Sequence, residues 1–126
     1  MNKNKLSWRL PNKDELVLMY ENLHLKGIGG FAVGNYWSSF EINSFNAWLQ
    51  LFGFGFQFSN SKSHYVRVRV ARVFKLQEGE KYSIGQETET GFIFDIQRDI
   101  IFECKKEDEP ELMTWDEAME KFGGKK

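Results

Sequence analysis

The stretch WRLPNKDEL, residues 8–16, is the part of this 126-residue chain that most directly predicts a fold. Within it Asn12 is followed three residues later by Glu15, which is the spacing of a capping box. In that motif each side chain accepts a hydrogen bond from a backbone N–H at the start of a helix. Apolar residues then recur at helical spacing as far as Leu23, and Gly27 follows within about one turn. The stretch therefore predicts a helix over residues 12–23.

Beyond this helix the pattern changes to short β segments separated by Gly, Asn and Ser. In the clearest segment, valines at positions 66, 68 and 70 alternate with Arg67 and Arg69, so the two sets face opposite sides of a strand. Phe54, Phe56 and Phe58 alternate with small or polar residues in the same way, which is typical of a half-buried strand. The predicted strands cover residues 36–40, 47–51, 54–58 and 65–74.

A hairpin and a second helix complete the pattern. Two apolar runs flank the turn at residues 97–99, which predicts a hairpin over residues 92–104. Thr114 and Glu117 form a second capping box, and the helix that it starts is predicted to end at Gly123. The elements together predict an α+β fold, with two helices packed on a twisted antiparallel sheet and hairpins.

The composition is that of a folded protein without an electrostatic preference for nucleic acid. Hydrophobic residues make up 41 % of the chain and aromatic residues 16 %, so their burial can offset the entropy of ordering the chain. The 17 basic and 18 acidic residues give a formal net charge of −1. Because nucleic-acid binders neutralise phosphates with an excess of basic residues, we expect no nucleic-acid partner.

The residue types that bind metals and form disulfides are scarce. The single cysteine, Cys104, excludes an internal disulfide and a cysteine-based zinc cluster. With only two distant histidines, His24 and His64, we expect no metal site and no cofactor.

The chain also lacks the apolar segments that direct proteins to membranes. Its longest apolar run, residues 47–58, is interrupted by two glycines and is too short to span a bilayer, so no membrane insertion is expected. Residues 1–9 contain no apolar stretch that would serve as a secretory signal. We therefore expect a cytoplasmic or particle-associated protein, or one delivered by something other than its own signal.

Several spaced motifs resemble one protein family. WRLPNKDEL looks like the "WRLP-x-x-x-EL" helix start of the Lcl C-terminal-like domain family, a bacterial domain of formerly unknown function. YWSS at residues 36–39, AW at residues 47–48 and VRVRVAR at residues 66–72 resemble later elements of that family. The family is related to C-type-lectin-like folds of the formylglycine-generating-enzyme type. The resemblance therefore implies a C-type-lectin-like fold.

The order of the motifs differs from the order in the family. Residues 1–76 resemble the family's later part, whereas residues 81–126 resemble its opening hairpin and helix, through GFIFD at residues 91–95 and MTWDEA at residues 113–118. We interpret residues 1–126 as a single, circularly permuted domain, because domain termini often lie close together. The two helices should then be neighbours, and the hairpin should share a sheet with residues 65–74. The alternative is a swapped homodimer, in which the two parts pair between chains.

The resemblance implies a non-enzymatic recognition or adhesion module from a bacterial or phage protein. Such a module would bind a glycan or a protein surface through the loops between Asn35 and Lys62. Aromatic side chains there can stack on a ligand, and arginines can bind sulfate or carboxylate groups through two hydrogen bonds. The candidate ligand-binding residues are Trp37, Trp48, Phe54, Phe56, Arg67 and Arg69.

Each of these interpretations has an alternative. The tryptophans can belong to the core, and the arginines can pair with carboxylates such as Glu41, Asp95 or Asp99. The glycines of the run FGFGF, residues 52–56, allow close backbone approach, and any exposed phenylalanine there would be part of a partner interface. A structural or assembly component of a phage or mobile-element particle is the alternative function.

No catalytic residue is predicted. Ser38 and Ser39 lack the glycine-framed turn and the orienting acid that would make them nucleophiles with His64 as base. Formylglycine-generating chemistry needs reactive cysteines acting with a metal, which Cys104 alone does not provide. Whether calcium is bound stays open, although three acids of the second hairpin lack the dense ligand spacing of a calcium loop: Asp95, Asp99 and Glu103.

Overall fold

The computed structural model describes residues 8–124, and in that part of the chain it contains two α-helices and two antiparallel three-stranded sheets. The predicted α+β class is therefore confirmed. A short 3₁₀ turn, His24–Lys26, follows the first helix. In chain order the elements are α1 (Lys13–Asn22), β1 (Asn35–Glu41), β2 (Asn46–Leu51), β3 (Phe56–Ser61), β4 (Ala71–Lys75), β5 (Gly91–Gln97), β6 (Ile100–Lys105) and α2 (Trp115–Phe122).

Both predicted capping boxes are confirmed. At α1 the side chain of Asn12 accepts from the backbone N–H of Glu15 at 2.8 Å, and the Glu15 carboxylate accepts from the backbone N–H of Asn12 at 2.9 Å. At α2 the corresponding distances between Thr114 and Glu117 are 3.3 and 2.9 Å. Each helix therefore begins where its sequence satisfies two otherwise unpaired N–H groups.

The first sheet has the strand order β1-β2-β3 and carries a core on each face. Neighbouring side chains of a strand point to opposite faces, so Trp37 and Tyr36 of β1 enter different cores. Trp37 packs with Leu49 of β2 and with Trp115 of α2 in one core. On the other face Tyr36 packs with apolar side chains of α1. This sheet is thus the middle layer between the two helices.

The second sheet has the strand order β4-β6-β5, so the predicted hairpin does share a sheet with part of residues 65–74. That predicted strand is shorter than expected, because only Ala71–Lys75 forms a ladder. Residues 66–70 are bonded to two different neighbours instead. On one side the backbone N–H of Trp37 donates to the Arg67 carbonyl at 3.0 Å. On the other side the backbone N–H of Val66 donates to the Met113 carbonyl at 2.9 Å. The valines face the core as predicted.

The two ends of the described chain meet at one hydrogen bond. The Leu10 backbone N–H, two residues before the N-cap of α1, donates to the Gly123 carbonyl at the end of α2 at 3.0 Å. The helices themselves contribute to separate cores, with Leu16 of α1 in one and Ala118 of α2 in the other. The residues that flank the two helices thus meet, whereas the first sheet separates the helices themselves, which were predicted to be neighbours. Neither helix in residues 8–124 combines the length and apolar composition that crossing a bilayer requires.

Candidate functional site

The hairpin of β2 and β3 presents aromatic side chains to solvent. Phe54 is 73 % exposed, Phe56 is 65 % exposed and Phe58 is 38 % exposed. The rings of Phe54 and Phe56 stack, with 6.3 Å between their centroids and 24° between their planes. Phe58 lies two residues along β3 from Phe56 and therefore points to the same side of the strand. We call Phe54, Phe56 and Phe58 the aromatic ridge.

The exposure of these rings corrects the prediction of a half-buried strand, because no residue of β3 is buried. Phe58 lies opposite the buried Leu49 of β2, but β3 is an edge strand, and the buried layer ends before it. The opposite face of β3 is held by a polar residue. Gln57 accepts from the Trp48 indole N–H at 2.9 Å and donates to the Lys13 carbonyl at 2.7 Å. The polar side chain is therefore tied to the start of α1, while the phenylalanines face water.

Two glycines fix the turn that carries Phe54. A Cβ at Gly53 would lie 2.8 Å from the Val33 carbonyl oxygen, so only glycine allows this backbone approach. Gly55 has φ +79°, and a Cβ there would lie 2.7 Å from the ring of Tyr20. The close approach predicted for the glycines of residues 52–56 is thus present. The turn that carries Phe54 is therefore packed closely against Val33 and Tyr20.

Two of the predicted binding residues lie in the interior. Trp37 is fully buried, and its indole N–H donates to the Met113 carbonyl at 2.9 Å. Arg69 is 1 % exposed, and its Nε donates to Asp108 Oδ1 at 2.8 Å. Further guanidinium donors reach the backbone carbonyls of Gly29 and Lys105. Because protein groups already satisfy these polar atoms, both side chains belong to the core and neither reaches the surface.

Trp48 and Arg67 are half-buried and lie away from the aromatic ridge. Trp48 is on the Gln57 side of the sheet, where the Lys13 ammonium lies 6.0 Å from its ring centroid. Arg67 lies beneath Gly34, whose added Cβ would be 3.3 Å from Arg67 Nε. That Nε is buried and has no hydrogen-bond partner within residues 8–124. The structure thus brings Phe54 and Phe56 together and places the other four predicted residues elsewhere.

The partners of the buried arginines differ from those considered from sequence. Arg69 pairs with Asp108, and Arg72 pairs with Glu103 at 2.9 Å between Nε and Oε1. Asp108 Oδ2 also accepts from the Tyr36 hydroxyl at 2.8 Å. Burial, opposed by a hydrogen bond from a backbone N–H and reinforced by this carboxylate, raises the pKa of Tyr36 well above its ordinary value. Tyr36, Asp108 and Arg69 thus link β1 to the segments next to β6 and β4, while the Arg72–Glu103 pair joins β4 and β6 within the second sheet.

The candidate catalytic and metal-binding groups are dispersed. The Ser38 hydroxyl is buried and donates to the Trp48 carbonyl at 2.6 Å, whereas the His64 ring is exposed, with Nδ1 2.7 Å from Asn60 Oδ1. Burial raises the pKa of the Cys104 thiol to about 12, which keeps it protonated. Residues 8–124 contain no group of three or more His, Cys, Asp and Glu side chains placed to hold a metal ion.

Phe58 is the surface residue that the sequence analysis did not single out. Its position two residues after Phe56 could have indicated its exposure, because a strand that exposes Phe56 exposes Phe58 on the same side.

Comparisons of the chain with protein-family models, with curated protein sequences and with solved structures found no match.

Proposed function

We propose that this chain is a non-enzymatic recognition module that binds a protein surface through the aromatic ridge. The observation that carries the proposal is the stacked pair of Phe54 and Phe56, whose rings are mostly exposed at the end of the β2–β3 hairpin. Contiguous apolar surface of this kind is costly in water and is typical of interaction sites. Large aromatic side chains are also enriched in the cores of protein interfaces.

The chemistry of the ridge favours a protein over a glycan. Sugar binding needs polar groups beside the aromatic ring, because the sugar hydroxyls must keep their hydrogen bonds. The amide side chain between Phe56 and Phe58, Gln57, is directed to the opposite face, where it bonds to Trp48, Gln50 and the Lys13 carbonyl. Asn60 lies on the ridge side of β3, but its Oδ1 is engaged by the Ser61 N–H and lies 2.7 Å from the His64 ring. The ridge itself consists of phenylalanine side chains, which suit an apolar surface.

Site-specific photo-crosslinking in the native host tests this proposal. A photoreactive phenylalanine analogue placed at position 54 or 56 should trap one discrete partner band. The same analogue at position 45 is the matched control, because Phe45 is 77 % exposed but lies in the connection between β1 and β2. Equal trapping at positions 45, 54 and 56, or none at positions 54 and 56, would contradict the proposal.

A glycan array separates the two ligand classes. We expect the purified protein to give no signal above that of the Phe54→Ser/Phe56→Ser variant. A glycan signal that this double substitution removes would assign the ridge to sugar binding instead.

We further propose that the chain is a circularly permuted relative of the Lcl C-terminal-like domain family with a C-type-lectin-like fold. The two capping boxes, the hairpin beside β4, and the Leu10–Gly123 bond support this proposal. A rearranged chain that joins position 126 to position 1 and opens between positions 76 and 81 should keep the thermal unfolding midpoint within a few degrees. A chain opened inside β2 should not fold. Loss of folding in the first chain would contradict the permutation.

A structural or assembly component of a phage or mobile-element particle is the second candidate function. The observation that favours it is the outer edge of β3, with which no other strand of residues 8–124 pairs, since such an edge can join protein copies. Recovery of the protein in purified particles at a fixed ratio to the capsid would support this candidate.

A further inference from the structure

The outer edge of β3 differs from the other sheet edges of residues 8–124. The edge of β1 is partly covered by the segment of residues 66–70. The backbone N–H of Trp37 donates to the Arg67 carbonyl at 3.0 Å, and the backbone N–H of Arg67 donates to the Asn35 carbonyl at 3.2 Å. The edge of β5 is covered by residues 85–88, with Gly85 donating to the Ile93 carbonyl at 2.8 Å. Each of these edges is therefore paired at least in part.

The outer edge of β4 is also partly paired, whereas no other strand of residues 8–124 pairs with the outer edge of β3. At β4, Arg9 and Ala71 exchange two backbone hydrogen bonds of 2.9 and 2.8 Å. Within the described residues, β3 pairs with β2 alone, and no other strand covers its outer edge. Only at the end of the strand are backbone groups engaged locally, where the Ser61 carbonyl accepts from the backbone N–H of His64 at 3.2 Å and the Ser61 N–H donates to Asn60 Oδ1 at 2.9 Å. An edge of this kind is a template for another strand.

β3 also lacks the features that protect exposed edges. Soluble proteins block such edges with charged side chains, prolines or bulges. Phe56–Ser61 contains no charged residue and no proline, and its six residues pair with β2 in unbroken register. The turn before it, residues 53–55, is uncharged as well. The edge is regular, uncharged and aromatic, which suits a pairing strand.

We propose that a second copy of this chain occupies this edge, with β3 pairing antiparallel to β3 about a twofold axis through Gln57. The inference rests on the proposed function, since it takes the aromatic ridge to be a protein-binding surface and names the partner. The pairing joins two three-stranded sheets into one sheet of six strands.

This register makes the edge complementary to itself. In an antiparallel pair the residues that lie opposite each other share a face, so Phe56 of each copy meets Phe58 of the other. Both Phe–Phe pairs then lie on the side of the sheet that the ridge occupies. No charged side chain of residues 53–61 enters the contact, and the net charge of −1 gives little repulsion between whole copies. A twofold interface of this kind closes on itself and stops at two copies.

The mass in solution is the first test. Light scattering should give twice the 14.8 kDa of the chain for the unaltered protein. Phe58→Lys should raise the dissociation constant of the dimer about tenfold or more, because it removes both Phe–Phe pairs and puts a charge on the edge. Leu25→Lys is the matched control, since Leu25 is 62 % exposed in the turn after α1. Near-ultraviolet circular dichroism checks that both variants stay folded.

A cysteine crosslink tests the register. In the Gln57→Cys variant the axis places the two new cysteines directly opposite each other, with Cα atoms about 4.5–5.5 Å apart, within the range of a disulfide. Oxidised glutathione should therefore link this variant into a dimer. Phe56→Cys and Phe58→Cys are the controls, because each new thiol faces a phenylalanine of the other copy. Native Cys104 is buried and should not react.

The outcomes separate this inference from the proposed function. A monomer at all concentrations would overturn the second copy as partner, while a discrete band trapped at position 54 would keep the ridge as a protein-binding surface. A dimer that Phe58→Lys leaves intact, or that links at positions 56 and 58 as well as at 57, would overturn the proposed pairing. A dimer made by exchange of residues 81–126 between copies would likewise overturn the pairing, because Phe58→Lys would leave it intact. Loss of both the dimer and all trapped bands would overturn both proposals.

Discussion

The Arg9 guanidinium binds both carboxylate oxygens of Glu15, with 2.7 Å from Nη1 to Oε1 and 2.8 Å from Nη2 to Oε2. Oε1 also accepts from the backbone N–H of Asn12, so one carboxylate serves the capping box and the ion pair together. The hydrogen bond from Arg9 to Glu15 raises the pKa of Arg9 above its ordinary value, although burial opposes it. Arg9, three residues before the N-cap of α1, is thereby held to the first turn of the helix.

Glu15→Ala should lower the free energy of unfolding by about 2–4 kcal/mol, because it removes the cap and leaves a half-buried arginine unpaired. Glu117→Ala is the matched control. Glu117 holds the same position in the capping box of α2 at an exposed site, so its loss should cost about 1 kcal/mol. Urea denaturation measures both values. Equal losses for the two variants would show that the Arg9 pair adds nothing to stability.

Asp108 is the shared acceptor of Arg69 Nε and of the Tyr36 hydroxyl. Asp108→Ala should lower the free energy of unfolding by about 3 kcal/mol, since it leaves a buried guanidinium without a counter-charge. Its exposed neighbour Glu107 is the control, and Glu107→Ala should stay within about 0.5 kcal/mol of the unaltered protein. Thermal and urea unfolding check the difference. A loss for Asp108→Ala as small as that of the control would contradict this role.

Gly55→Ala should destabilise the protein more than Gly79→Ala. Both glycines have positive φ, +79° and +85°, so both substitutions strain the backbone by about 1 kcal/mol. Only at Gly55 does the new methyl group meet a neighbour, the ring of Tyr20 at 2.7 Å, whereas no atom lies within 4 Å at Gly79. We expect an excess loss of about 1–3 kcal/mol for Gly55→Ala by urea denaturation. Losses that match would mean that the ring moves aside freely.

Cys104 should make stability fall at alkaline pH. Burial raises its pKa from 9.0 to about 12, so between these values the unfolded chain releases a proton that the folded chain keeps. Its contribution is complete below pH 9 and is lost as pH rises towards 12, by about 1.4 kcal/mol per pH unit. The Cys104→Ala variant should show a flatter pH dependence by that amount. Parallel curves for the two proteins would contradict the shift.

The local signals of the sequence predicted the helix starts and the second hairpin. The pairs Asn12–Glu15 and Thr114–Glu117 act within one turn of helix, so their effect does not depend on the rest of the fold. The hairpin turn was placed correctly for the same reason, with the left-handed Arg98 between β5 and β6.

Features decided by distant neighbours could not be predicted in this way. The alternation of Phe54, Phe56 and Phe58 indicates that one side of the strand is apolar, but not that the sheet ends there. Arg69 lies 39 positions before its partner Asp108, and nothing near it in sequence indicates that pairing. The candidate site was therefore found in part, through its aromatic residues, while the predicted roles of Trp37 and Arg69 depended on a burial that sequence spacing does not reveal.

The doubly bonded segment of residues 66–70 has a consequence for how the protein opens. On one side it is hydrogen-bonded to Trp37 of β1. On the other side it is hydrogen-bonded to the chain after β6: the backbone N–H of Glu109 donates to the Val68 carbonyl at 2.8 Å, and Val66 and Met113 exchange two backbone hydrogen bonds. Neither sheet can separate from the other without releasing this shared ribbon. The amide protons of Trp37 and Met113 should therefore exchange with solvent deuterium at similar rates, in one cooperative unit that spans both halves of the molecule.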